Sequence, residues 1–96
     1  MTTLFIDNGI SINLDDYMSD PIGSFKRKPP MFVATSVGER LAIAEFTGNS
    51  RNSTLIRDYM ERTFMLSPHR KRMALNIYNE TMSGLRRANP NGWTNQ

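Results

Sequence analysis

The 96-residue sequence predicts an α+β chain, a short N-terminal β-hairpin followed by about three helices. Three observations lead there. An Asn-Gly pair separates two short β-prone runs near the start, a glycine turn with capping residues stands near the middle, and an apolar period of three and four residues fills the last third.

The hairpin is read over Thr3 to Leu14. Asn8 and Gly9 are residue types that accept the positive φ values of a tight hairpin turn. In the second strand Ile10, Ile12 and Leu14 alternate with Ser11 and Asn13, so one face can be buried. A structural hairpin or capping arm is one reading of this pattern. The other is a DNA-reading ribbon, since short polar side chains on one strand face can reach base edges. Asp15 to Ser24 has turn residues and no period, which marks a linker. It leads to Lys26, Arg27 and Lys28, stiffened by Pro29 and Pro30 into a compact basic arm suited to phosphates. The expected organisation is therefore an N-terminal hairpin and basic arm over 1–30, a helical core over 31–87 and a disordered tail over 88–96, where Trp93 could dock.

Met31 to Val37 supports two readings. Its β-branched and aromatic residues suit a strand before a short helix at Glu39 to Thr47, whereas a longer helix could start at Pro30 with Gly38 as a weak point inside it. Leu41, Ala44 and Phe46 or Thr47 are core candidates in either case. Gly48 can close that helix in the left-handed conformation, and Ser50 can cap the next one. Leu55, Ile56, Tyr59, Met60 and Thr63 then share one helical face, with Arg51, Asp58, Glu61 and Arg62 on the other.

This central helix should end near Leu66, and Ser67-Pro68 restarts the chain as a cap followed by proline at the first helical position. A third helix over His69 to Arg87 presents Met73, Ala74, Ile77, Tyr78, Thr81, Met82 and Leu85 as its apolar stripe. Its first turn carries His69, Arg70, Lys71 and Arg72. Cations there oppose the helix dipole at a cost of about 0.3 to 1 kcal/mol each, and a bound phosphate would reverse the sign. Pairing of Arg70 and Arg72 with Asp58 or Glu61 is the alternative.

GNSRNSTLIRDYME, residues 48–61, resembles the turn and second helix of Arc-type ribbon-helix-helix repressors. That resemblance implies a dimer on duplex DNA, with Ser50 as cap, the amides of Arg51 and Asn52 cradling a phosphate, and Leu55, Tyr59 and Met60 in the dimer core. LAIAEFTGNSRNSTLIR, residues 41–57, is also similar to the helix-turn-helix of lactose-repressor-like and mercury-repressor-like regulators, which would place Ala44 between helices and Gly48 in the turn. Both resemblances imply duplex DNA.

Composition narrows the function classes. No cysteine and a single histidine leave neither a disulfide framework nor a ligand set for a metal, and no cofactor is expected. No apolar run approaches the roughly 20 residues that span a bilayer, and no signal-peptide pattern opens the chain, so a cytoplasmic protein without membrane contact is expected. A chain this short gains from a partner subunit, which makes a homodimer the expected state. Residues 1–24 carry −4, which leaves +7 on the rest of a chain whose net charge is +3. No cysteine nucleophile, His-acid pair, phosphate-binding glycine loop or metal cluster suggests an enzyme. The expectation is a small DNA-binding regulator or accessory protein of phage or plasmid type, with Lys26, Arg27, Lys28, Arg51, Arg70, Lys71 and Arg72 on phosphates and Arg51, Asn52 and Thr54 or a strand on bases. The alternative is a phage- or plasmid-encoded inhibitor, an anti-CRISPR-like interaction module that binds a host protein or nucleoprotein complex, with seven methionines supplying adaptable apolar surface.

Overall fold

Proline at position 30 has the fixed φ of a first helical residue, and the chain is helical from there: α1 spans Pro30–Phe46. The computed structural model describes residues 3–6, 10–13, 30–63 and 67–90. Ala34, Val37, Leu41, Ala42, Ile43 and Ala44 of α1 are all buried. Four consecutive buried residues, Leu41 to Ala44, point in four directions around the helix, so α1 is the central element and is covered on all sides at its second half. The covering is done mainly by α3 (Pro68–Ala88), which lies along α1, and by α2 (Ser50–Thr63) over a smaller area.

The expected α+β class is overturned, because three helices of 17, 14 and 21 residues carry the fold and its architecture is all-α. Strands β1 (Thr3–Ile6) and β2 (Ile10–Asn13) pair antiparallel, with Leu4 opposite Ile12, as a small attachment whose β1 lies against α3 and contributes the buried Leu4. Met31–Val37, one reading of which was a ribbon strand, lies inside α1, so the ribbon-helix-helix-like dimer is corrected as well. β-branched propensity is worth only tenths of a kcal/mol per residue, whereas full burial of Val37 contributes about 1.5 to 3 kcal/mol. Gly38 has a packing reason to stand inside this helix. A Cβ built there would lie 2.2 Å from the carbonyl oxygen of Ala74 and 3.1 Å from Cβ of Ile77, so α1 and α3 cross too closely for any side chain.

The turn between α1 and α2 is a double cap. Gly48, at φ 72°, takes the left-handed position, its N–H donating to Glu45 O at 3.2 Å while the N–H of Asn49 donates to Ala44 O at 2.9 Å. Thr47 Oγ1 donates at 2.8 Å to Ile43 O, which also accepts the Thr47 N–H at 3.0 Å. Asn49 then starts α2. Its Oδ1 accepts from the Asn52 N–H at 3.0 Å, and its carbonyl accepts from the Ser53 N–H at 3.0 Å. The expected cap Ser50 is instead the first residue of the helix, one position too late to cap it.

The buried face of α2 is Asn52, Ile56 and Met60, while Leu55 is 43% exposed. The expected face holds at Ile56 and Met60 and is turned by about 30° away from Leu55, and it takes in Asn52. α3 begins after Ser67, whose side chain makes no capping bond, and ends at Asn89, whose N–H and Nδ2 both donate to Leu85 O at 2.9 Å. Asn89, placed in the expected tail, thus caps the last helix. Its apolar stripe is centred on Ala74 and Leu85, with Ile77, Tyr78, Thr81 and Met82 partly buried and Met73 exposed.

Candidate nucleic-acid interface

The charges are unevenly shared among the helices. Glu39, Arg40 and Glu45 give α1 a charge of −1, and Arg51, Arg57 and Arg62 against Asp58 and Glu61 give α2 +1. α3 carries Arg70, Lys71, Arg72, Arg86 and Arg87 against the single acid Glu80, which is +4 with His69 neutral. The excess positive charge of the helical core therefore resides on one helix.

On that helix Arg72, Asn76, Asn79, Ser83 and Arg86 follow one another at steps of four, three, four and three, and all five are exposed. At 100° per residue these steps keep them in one strip on the side opposite Ala74 and Leu85. The strip is made of guanidinium, carboxamide and hydroxyl groups, each able to donate hydrogen bonds. Glu80 lies beside its middle, and Asn79, Glu80, Ser83 and Arg87 line an open, shallow depression there. The strip rises about 21 Å from Arg72 to Arg86.

The residues expected to form a phosphate site are divided between two ends of the molecule. Ser50, Arg51 and Thr54 are exposed at the start of α2. Arg70, Lys71 and Arg72 start α3, beside the far end of α2, where Lys71 Nζ pairs with Glu61 at 2.8 Å. A 14-residue helix puts these groups about 20 Å apart, too far for one phosphate. Lys71 is engaged by Glu61, whereas Arg70 and Arg72 are exposed and form no ion pair among the described residues. Asp58 pairs with Arg62 at 3.1 Å one helical turn away.

Asn52 does not face a ligand. It is 4% exposed, its N–H is taken by Asn49, and its Nδ2 is buried without a hydrogen-bond partner among the described residues. The expected cradle of Arg51 and Asn52 amides thus loses one donor, and Asn52 is withdrawn as a base reader. Among the expected dimer-core residues, Met60 is buried inside the monomer at 2% exposure, Tyr59 packs against the same core, and Leu55 alone stands largely exposed. Lys26, Arg27 and Lys28 lie outside the described residues, as do Asn8, Gly9 and Trp93, and of the hairpin side chains only that of Leu4 is described, so Ser11 and Asn13 fall outside too.

Glu45 joins the three helices. Its Oε2 accepts from the Arg57 guanidinium of α2 and its Oε1 accepts from the Tyr78 hydroxyl of α3 at 3.1 Å. Burial, and then the adjacent Glu45 carboxylate, raise the Tyr78 phenol above its ordinary value, against smaller opposing effects of Arg57 and Arg86. This cluster holds the framework from which α3 presents its outer strip.

Asn76, Asn79, Ser83 and Arg86 were not among the residues singled out from sequence. Their signal was available as the polar complement of the apolar stripe, but solvent and a ligand ask for similar residues there. Among the described residues no group of acids and histidine could hold a metal, and no helix is long and apolar enough to cross a membrane. No protein-family model matches this chain, and neither a curated protein nor a solved structure matches it significantly.

Proposed function

We propose that this chain is a small duplex-DNA-binding protein, acting as a regulator or accessory factor on DNA, and that its contact surface is the solvent face of α3. The observation that carries this reading is the concentration of charge: α3 holds +4 where the other two helices balance to zero. A polyanion is the complementary partner of such a face, and release of its counterions supplies sequence-independent affinity. The side chains between the cations favour a nucleic acid over a plain acidic surface, since Asn and Ser hydrogen-bond both phosphates and base edges.

Fluorescence anisotropy of the full chain with a labelled duplex, over a salt series, tests the proposal. Contacts from Arg70, Arg72 and Arg86 on α3 would make the log-log plot fall with a slope of about −3. Replacing Arg72 and Arg86 together by Glu should abolish binding at moderate salt while leaving the helical circular dichroism unchanged. Absence of binding at low salt would sink the proposal and redirect the search to an acidic protein partner.

A further inference from the structure

Resting on the reading that the outer face of α3 binds duplex DNA, we infer that α3 lies in the major groove, tilted across its direction, with Asn76 and Asn79 reading adenine and Arg72 and Arg86 holding phosphates on the two opposite strands. The order of groups along the strip supports this over a helix lying along one strand. Cations stand at its two ends, amides and a hydroxyl in its middle, and the only acid, Glu80, also in the middle. A helix following a single backbone would bring Glu80 against phosphates. With the helix tilted within the groove, its middle runs between the two backbones and Glu80 lies over base pairs, where cytosine N4 can donate to it.

The dimensions agree. Arg72 and Arg86 are separated by about 21 Å along the axis, and the groove is about 12 Å wide. A helix about 10–12 Å across enters a groove of that width only lengthwise, so α3 lies along the groove at a tilt, its middle toward the base edges and the long Arg72 and Arg86 side chains at its ends leaning to opposite walls. Between them Asn76 and Asn79 are adjacent on the surface at a spacing of three residues, one rung apart on the same strip. Asparagine forms two hydrogen bonds with the N6 and N7 edge of adenine, a pairing that no other base edge reproduces. Ser83 follows one turn later and accepts or donates without selecting a base. The major groove of A-form RNA is too narrow to admit a helix, so the arrangement selects DNA over duplex RNA.

The test uses the full chain and short duplexes composed only of A·T pairs, only of G·C pairs, or of A·T pairs in which adenine is replaced by an analogue lacking N7. Wild type should prefer the A·T duplex over both others by about tenfold. The N76A/N79A variant should bind all three alike, and its exposed helical positions tolerate alanine, which circular dichroism will verify. Salt-dependent binding that ignores the missing N7 and the two substitutions would overturn the groove assignment while leaving DNA binding in place. Equal binding of duplex RNA would overturn it too. Absence of binding to every duplex would instead remove the underlying DNA reading.

Discussion

Gly38 and Ala74 mark the closest approach of the two longest helices, with the Ala74 carbonyl oxygen 2.2 Å from where a Gly38 side chain would begin. The obstacle is backbone, so no rotamer change relieves it. Alanine at position 38 would gain about 1 kcal/mol of helix propensity and lose the tight crossing. Overpacking of this kind costs about 1 to 3 kcal/mol and here forces α1 and α3 apart along their whole contact. Gly38→Ala is therefore expected to destabilise the protein on balance, seen as a lower denaturation midpoint in urea. A midpoint above wild type would show that the helices do not meet at this glycine.

Asn49 and Ser50 are adjacent capping residues, and only one of them caps. Asn49→Ala removes the bond to the Asn52 N–H and should cost about 0.5 to 2 kcal/mol. Ser50→Ala, in the first helical position, should change stability by less than about 0.5 kcal/mol. Equilibrium denaturation of the pair of variants decides between them, and the reverse ranking would place the cap where sequence alone put it.

How far the fold was legible follows from these positions. Gly48 and Ser67-Pro68 punctuate the chain as their backbone chemistry requires, so the breaks between the three helices could be read. Met31 to Val37 could not be settled, because valine and threonine look strand-like until the partner that buries them is known. Gly38 looked like a weakness because its value lies entirely in the proximity of Ala74. In α2 the Ile56 and Met60 part of the face could be read but its edge could not: Leu55 and Tyr59 make a better apolar stripe than one containing Asn52, yet Asn52 is the buried residue. The basic start of α3 was visible as a run of cations, whereas the outer strip from Asn76 to Arg86 needed the buried side to be fixed first.

Asn52 carries a buried Nδ2 with no partner among the described residues, a group that costs about 1 to 3 kcal/mol when desolvated and unpaired. Asn52→Leu removes it and adds an apolar contact beside Ile56, a buried neighbour one turn away. The variant should be as stable as wild type or up to about 2 kcal/mol more stable, because the gain offsets the strain of the larger side chain. Thermal denaturation checks this. DNA binding should be unchanged, since the residue is withdrawn from the surface. A loss of affinity without a loss of stability would return Asn52 to the contact surface.

Tyr78 donates its phenolic proton to Glu45, and this makes the bundle sensitive to alkali. Burial and the neighbouring carboxylate both disfavour the phenolate, so the folded protein holds the proton more tightly than the unfolded chain does. A group whose pKa rises on folding contributes stability that is complete below its unfolded value and is lost as pH rises through the folded one. For a tyrosine that window opens at about pH 10. Stability should therefore fall above this point as the phenolate forms beside the Glu45 carboxylate. Tyr78→Phe cannot ionise, so its profile should lack this component of the decline, although at neutral pH the loss of the hydrogen bond should cost about 0.5 to 1.5 kcal/mol. Urea denaturation of the two proteins at neutral and alkaline pH gives the comparison. An identical alkaline decline in both would show that the proton on Tyr78 does not couple to folding.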